Sequence, residues 1–325
     1  MKKILYYLIL ACPLFFQSVF AQSLMVANFE NSNADIIPET LVFQSGFEGN
    51  TKIVSYGTST DKDIIGSDPD LPTSSWDNLQ SNEIKSIYIN YSGGDSTKRY
   101  ARIVADPVNA NNNVLNFCLK NYWLTTDAQE KGRIQLELYS IQPGYKEFYQ
   151  SVRTYFSTDF NALKIYQDSI GWLTLGEFWN NEWWGNKPNG FRISVNIHKD
   201  SGYGKNLYFA ITAEDSGFID IWNVVNKNIA ISIGNWSTIE YYFREGNKDT
   251  GRFYMAITPD GGTKQIICDV TGFTHGTKDT APDGLTGYNP MKLYTSKQIL
   301  SYLNSLGRPL NIYWDDLKLW KNKRP

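Results

Sequence analysis

The sequence predicts an all-β protein, a two-sheet antiparallel β-sandwich of the jelly-roll type. Aromatic residues make up 15% of the chain, with 21 Tyr and 10 Trp, and such residues favour strands. Many short segments alternate apolar and polar residues, and Gly, Asn, Asp and Pro separate them. A chain of many short strands with few helical segments is typical of two packed sheets.

The predicted strands follow one another along most of the chain. In order they are LVFQSGFEGN (41–50), SIYINY (86–91), RYARIVA (99–105), VLNFCLK (114–120), RIQLELYSI (133–141), EFYQSVRTYF (147–156), GWLTLGEFW (171–179), FRISVNIHK (191–199), NLYFAITAE (206–214), IDIWNVV (219–225), TIEYYFRE (238–245), GRFYMAITP (251–259), QIICDVT (265–271), MKLYTS (291–296) and NIYWDDLKLW (311–320). Only residues 295–307 have a helical pattern. A stretch rich in Ser, Thr, Asp and Pro, residues 57–82, predicts a long loop.

The N-terminus, residues 1–21, has the pattern of a secretory signal peptide. Two lysines precede an apolar run from Ile4 to Phe16, and the small residue Ala21 precedes Gln22. We therefore expect cleavage after Ala21 and a secreted or periplasmic protein. A lipoprotein attached through Cys12 is the less favoured alternative, because the residues after Cys12 stay apolar.

The remaining chain predicts a polar leader, residues 22–38, and one domain, residues 39–325, without an internal repeat. No run in it approaches the roughly 20 apolar residues of a membrane helix. The formal net charge of -2 gives no electrostatic case for nucleic acid. We expect a monomer without an organic cofactor. Cys118 and Cys268 are either a disulfide or two buried thiols, and their spacing does not suggest zinc.

Three predicted strands carry unusual polar stripes, because residues two apart in a strand lie on the same side. The stripes are Arg192, Ser194, Asn196 and His198; Arg133, Gln135, Glu137 and Tyr139; and Lys292 with Tyr294. One such stripe alone is most simply the wet face of an antiparallel strand. Three stripes rich in Arg, His, Asn, Lys and Tyr favour a site that they share.

The stripes resemble the signatures of the concanavalin A-like polysaccharide lyases, the alginate-lyase and heparin-lyase type of fold. Alginate lyases of this type have an Arg-(Ser/Thr)-Glu-Leu strand, a Gln-(Ile/Val)-His strand and a Tyr-Phe-Lys-x-Gly-x-Tyr strand. Residue by residue, Arg133 matches the first Arg, Glu137 with Leu138 the Glu-Leu, Asn196 and His198 the Gln and His, and Lys292 and Tyr294 the Lys and last Tyr. This sequence departs by an insertion in the first motif, by Asn for Gln, and by the absence of the Gly in the third.

The resemblance implies a polysaccharide lyase acting on a uronate glycan, with alginate, glucuronan, ulvan and glycosaminoglycans all open. In β-elimination a base removes the proton beside the carboxylate, whose charge must be neutralised by donors. Arg133 and Asn196 are the candidates for neutralisation, and His198 for the base. Tyr294 is the candidate acid, or acid and base both, with Lys292 lowering its pKa by proximity. Arg192, Gln135 and Glu137 are candidate substrate-binding residues.

The segment LGEFWNNEWWG (175–185), directly before the strand FRISVNIHK in the sequence, supplies aromatic candidates. Trp179, Trp183 and Trp184 could stack on sugar rings, although at least one is expected in the core. Glu177 and Glu182 could instead be the acid and nucleophile of a glycoside hydrolase. A glycan-binding protein of the same fold without catalysis is the other alternative.

A structural calcium is predicted where the first and last strands meet. In the resembling superfamily these strands often lie together and carry calcium. Glu48, Asp315 and Asp316 offer the hard oxygen ligands, although only one of the two aspartates can point inward on a regular strand.

Overall fold

The computed structural model describes residues 38–57, 59–91, 97–124, 129–180 and 188–325. The predicted signal peptide and nearly all of the predicted leader lie outside the described residues. The strands, in chain order, are β1 Thr40–Ser45, β2 Lys52–Ser55, β3 Lys62–Ile65, β4 Ile84–Asn90, β5 Arg99–Ala105, β6 Asn113–Leu119, β7 Trp123–Leu124, β8 Glu130–Ile141, β9 Glu147–Phe156, β10 Leu173–Trp179, β11 Phe191–His198, β12 Tyr208–Asp215, β13 Ile219–Ala230, β14 Trp236–Arg244, β15 Arg252–Pro259, β16 Gln265–Thr271, β17 Gly287–Asn289, β18 Lys292–Ser296 and β19 Leu310–Lys321.

These strands form two antiparallel sheets, so the predicted sandwich is confirmed. The smaller sheet runs β16-β15-β14-β9-β19-β6-β5, and β1 pairs with β19. The larger sheet runs β13-β12-β11-β10-β17-β8-β4-β3-β2, with β18 between β10 and β8 and with β7 on β8. Apolar side chains from both sheets fill the space between them, for example Leu136 and Ile193 from the larger sheet and Val152 and Phe156 from the smaller.

The helices are α1 Trp76–Asn82, α2 Asn161–Lys164 and α3 Lys297–Ser305, with a 3-10 turn at Thr158–Phe160. The α3 helix confirms the helical pattern at residues 295–307. The loop predicted for residues 57–82 is wrong in part, because it contains β3 and α1. Ser75 caps α1 by accepting a hydrogen bond from the Asn78 backbone N–H, and Trp76 and Leu79 pack into the core.

Cys118 and Cys268 are both buried free thiols. Cys118 lies on β6 and Cys268 on β16, five strand intervals apart in the smaller sheet. At about 4.8 Å per interval they are far beyond the reach of a disulfide. In the described ranges, none of the helices has the length and apolar character needed to cross a membrane.

A β-bulge in β10 changes which side chains face the core. The pairing of β10 with β11 shifts between Thr174 and Gly176. Before the bulge Leu173 points into the core, and after it Phe178 does, so Glu177 and Trp179 join Thr174 on the opposite face. A side chain at position 176 would be crowded, since a Cβ there would lie 3.2 Å from the Asn289 carbonyl oxygen.

Candidate active site

The three polar stripes lie on one face of the larger sheet, which we call the polar face. β18 pairs with β8 and with β10, and β10 pairs with β11, so the stripe-bearing strands are neighbours. The intervening residues Ile134, Leu293 and Ile193 point the other way and belong to the core. The polar face is therefore the side of the larger sheet that is turned away from the smaller sheet.

Four residues form a continuous row across this face. Arg133 pairs with Tyr294, Tyr294 with Thr174, and Thr174 with Asn196, on the successive strands β8, β18, β10 and β11. The row spans about 14 Å between its end Cα atoms at ordinary strand spacing. Arg133, Tyr294 and Asn196, predicted from three separate motifs, are thus brought into one line.

The polar face is not an ordinary solvated strand face. Lys292 and Glu177 are each 1% exposed, and Gln135 and Glu137 are buried as well. Ionised side chains are almost never fully buried without a partner, because removing them from water is costly. Their burial here indicates a built polar layer and excludes the wet-surface explanation for these stripes.

Glu177 is at the centre of an ionic network on this face. Its Oε2 accepts a hydrogen bond from Lys292 Nζ at 2.6 Å, and its Oε1 accepts one from Arg192 Nη1 at 3.1 Å. Trp179 Nε1 donates to Oε2 at 3.2 Å. Arg192 also binds Glu214 through its Nε at 2.9 Å. Charges therefore alternate from β18 through β10 and β11 to β12.

The network sets the charges of its buried members. Burial by itself would raise the pKa of Glu177, but the attraction of Lys292 and Arg192 outweighs it and lowers that pKa. For Lys292, burial is the largest effect and lowers the pKa to about 8. The Glu177 carboxylate favours the charged ammonium, but the positive charges of Arg133 and Arg192 disfavour it. Glu177 is thus an anion, and Lys292 can lose its proton in mildly alkaline solution.

Glu137 has the opposite character. Burial raises its pKa, although Tyr88 and Gln135 donate hydrogen bonds to it and partly offset that effect. Glu177 pairs with Asn289 of β17, and β17 lies between β10 and β8, the strand that carries Glu137. The pKa values of Glu137 and Glu177 are therefore shifted in opposite directions.

Tyr294 is surrounded by positive groups. Lys292 Nζ lies 5.0 Å from the centroid of its ring, and Lys131 Nζ and Arg133 Cζ each lie 5.7 Å away. Trp172 packs edge-on against the ring, with centroids 4.9 Å apart. A negative charge that develops on the phenolic oxygen would be stabilised by these cations.

Asn196 and His198 have different surroundings. The Asn196 carboxamide is fixed by Thr174, whose hydroxyl donates to Oδ1 at 2.7 Å, and by Ser194, which accepts from Nδ2 at 3.0 Å. His198 lies two residues further along β11, and its Nε2 contacts Asp200 Oδ1 at 3.1 Å. Its side chain is partly exposed, and it lies to one side of the four-residue row, next to its Asn196 end.

Two aromatic residues of the polar face flank a glycine. Gly287 lies between Tyr139 and Trp179 in the strand pairing, and the two rings are 6.1 Å apart. The Tyr139 ring lies over the glycine, since a Cβ at position 287 would be 3.1 Å from Tyr139 Cδ1. Of the predicted sugar-stacking residues, Trp179 is therefore on the polar face, whereas Trp183 and Trp184 lie outside the described residues, as does Glu182.

The predicted calcium ligands Glu48, Asp315 and Asp316 line one cavity, but each carboxylate has partners within the protein. Both carboxylate oxygens of Glu48 accept hydrogen bonds from Asn113, at 2.7 and 2.8 Å. Asp315 is buried, accepts from Asn112 Nδ2 at 2.9 Å and lies 3.6 Å from Arg153 Nη1, while Asp316 is exposed. No group of three His, Cys, Asp or Glu side chains in the described part of the chain is arranged to hold a metal. Calcium at these carboxylates therefore remains a prediction.

Comparisons with known proteins identify no relative by sequence. No protein-family model matches the chain, and no curated protein matches it. Among solved structures it is similar to a PL-14 alginate lyase from Aplysia kurodai (12% identity, TM-score 0.49, covering 86% of this chain and 98% of that one). It is also similar to the alginate lyase Aly36B (13%, 0.44, 85% and 95%) and to an endo-β-1,4-glucuronan lyase from Trichoderma reesei (12%, 0.45, 74% and 92%). The predicted resemblance to jelly-roll polysaccharide lyases is found again in these structures, as a likeness of fold.

The sequence stripes did not reveal the central position of Glu177. Regular alternation along GWLTLGEFW places Thr174 and Glu177 on opposite faces, and only the bulge at Gly176 brings them together. The glycine next to a charged residue inside a strand was the available signal, since glycine within a strand often marks a bulge.

Proposed function

We propose that the chain is an exported polysaccharide lyase that cleaves an anionic, uronate-containing glycan by β-elimination. The observation that carries the proposal is the row of Arg133, Tyr294, Thr174 and Asn196 on four adjacent strands. It places a guanidinium, a phenol and a carboxamide on a polar layer that also contains a buried ammonium, that of Lys292.

The reaction breaks the C5–H bond of a 4-linked uronate and its C4–O bond, and it forms the C4–C5 double bond. Arg133 and Asn196 would donate hydrogen bonds to the uronate carboxylate and stabilise the charge that develops when C5 loses its proton. Tyr294, among three cations, would take that proton as phenolate and return a proton to the leaving oxygen as phenol.

His198 is the alternative base in this proposal. Asp200 orients its ring and binds Lys227 Nζ at 2.8 Å on the other side. His198 lies beside the row, two residues along β11 from Asn196, whereas Tyr294 lies in the row between Arg133 and Asn196, the two groups that would hold the carboxylate. Tyr294 is therefore our first choice for proton transfer and His198 the second.

The test is incubation with alginate, glucuronan, ulvan and glycosaminoglycans, followed by ultraviolet absorbance of the unsaturated uronate. We expect at least one acidic glycan to give this absorbance and Tyr294→Phe to remove it. Binding of an acidic glycan without any absorbance would identify a glycan-binding protein instead. Neutral glucans serve as negative controls, because they have no carboxylate beside the proton to be removed.

A glycoside hydrolase is the second candidate, because the pKa values of two carboxyls on one face are shifted in opposite directions. In such enzymes the carboxyl of raised pKa is the acid and the ionised one the nucleophile or base. Glu137 and Glu177 have this relation. Glu177 is, however, buried and accepts hydrogen bonds from Lys292, Arg192 and Trp179, which makes it a poor nucleophile. New reducing ends without unsaturation would support the hydrolase.

A further inference from the structure

The network around Glu177 connects the two halves of the four-residue row. Lys292 lies on β18, two residues before Tyr294, and Arg192 lies on β11, four residues before Asn196. Glu177 on β10 binds both cations, one with each carboxylate oxygen. It is thus the one carboxylate in the described network that contacts a cation on either side of its own strand.

The place of Lys292 depends on this carboxylate. Its ammonium contacts Glu177 at 2.6 Å and lies 5.0 Å from the centroid of the Tyr294 ring. The charged groups that face it are Glu177 from β10, Arg192 from β11, and Arg133 with Glu137 from β8. Among these, Glu177 is the anion in direct contact, while both arginines repel the ammonium.

We propose that Glu177 is the positioning residue of this site, which holds the Lys292 ammonium beside Tyr294 and ties β18 to β11. Glu177 does not touch the sugar in this role, because it is buried beneath its three donors. The expected effect of Glu177 on the reaction rate rests on the proposed lyase function. Its hold on Lys292 is a property of the folded chain and can be measured without any substrate.

Replacement of the Glu177 carboxylate should change the pH at which Lys292 loses its proton. In Glu177→Gln the buried ammonium keeps its two repelling arginines and loses its contacting anion, so we expect it to deprotonate at a pH about one unit lower. The matched control is Glu214→Gln, which removes one negative charge from the same network without touching Lys292. That variant should leave the Lys292 titration little changed.

The measurement is NMR titration of protein containing carbon-13-labelled lysine, with Lys292→Arg used to assign the signal. If Lys292 titrates at the same pH in Glu177→Gln as in the native protein, the proposal is wrong. If the titration moves but no acidic glycan is cleaved, the proposed function fails while the positioning of Lys292 stands.

Activity provides the second readout where lyase activity is found. The alkaline limb of kcat/KM should move down with the Lys292 titration in Glu177→Gln and be largely restored in Glu177→Asp. Should Glu177→Gln not fold, the double variant Glu177→Gln/Lys292→Met removes both buried charges and should fold. Full activity in that folded double variant would overturn the proposal.

Discussion

The outer faces of the two sheets carry similar side chains in different surroundings. On the smaller sheet, Arg252 and Asp269 form an ion pair at 2.8 Å whose side chains are 31% and 40% exposed. On the larger sheet, Lys292 and Glu177 form one at 2.6 Å whose side chains are each 2% exposed. The first pair is solvated and contributes little to stability, whereas the second cannot lose one partner without stranding a buried charge. A candidate site is thus distinguished from an ordinary surface by the burial of its charges and by the hydrogen bonds that link them, and not by the presence of charges.

The largest expected difference between the two faces comes from removing one phenol from each. Tyr294→Phe should lower kcat on a cleaved uronate glycan by about 10²- to 10⁴-fold, because it removes the proton-transferring group. Tyr242→Phe on the smaller sheet removes a phenol that donates to Glu147 and should leave kcat nearly unchanged. Steady-state ultraviolet assays compare the two. Equal effects of the two variants would remove the distinction between the faces.

The ion pairs themselves provide the next test. Lys292→Met leaves the buried Glu177 carboxylate with Arg192 as its remaining cation and should cost about 3–5 kcal/mol of unfolding free energy. Asp269→Asn, in the exposed pair with Arg252, should cost less than about 1 kcal/mol. Urea unfolding followed by circular dichroism measures both. A cost below about 1 kcal/mol for Lys292→Met would mean that its ammonium is solvated.

Asp315 tests whether burial alone causes the difference between the faces, because it is a buried carboxylate on the smaller sheet. Burial, with repulsion from Asp316, raises its pKa to about 6. Between its ordinary value and that pH the folded state binds more protons than the unfolded state, so stability falls as pH rises through this window. Asp315→Asn should therefore stabilise the protein at pH above 6, on the order of 2 kcal/mol, and have little effect below the ordinary carboxyl pKa.

Thermal unfolding at acid and neutral pH, with and without calcium, measures this effect. The expected result is a higher Tm for Asp315→Asn at neutral pH without added metal. Calcium that raises the Tm of the native protein, but not of Asp315→Asn, would instead support the predicted calcium site and show that Asp315 is one of its ligands.

The smallest expected effect concerns the aromatic pair Tyr139 and Trp179 beside Gly287. Trp179→Ala should raise KM about tenfold and change kcat little, since a stacking surface holds the sugar without moving protons. Its Nε1 also donates to Glu177, so Trp179→Phe separates stacking from that hydrogen bond. A fall in kcat for both variants with an unchanged KM would place Trp179 in the ionic network alone.

The sequence predicted the fold and the three stripes because both depend on local alternation. Arg133, Asn196 and Tyr294 each occupy the polar parity of a regular strand, and antiparallel pairing then aligns them. Burial of Lys292 could not be predicted in this way, because it depends on what surrounds a strand. The α1 helix was missed for a similar reason: Trp76 and Leu79 pack into the core from a segment whose composition is typical of loops.

The bulge in β10 makes the length of that strand as important as its residues. Without the extra residue, Leu175, Glu177 would point between the sheets, where the Phe178 ring now packs against Tyr241 and Tyr288. The Phe178 ring would in turn meet Lys292. A one-residue deletion here would therefore exchange a carboxylate and a phenyl ring between core and site. In a scan of variants, β10 should tolerate several substitutions at its ends and no insertion or deletion at its centre.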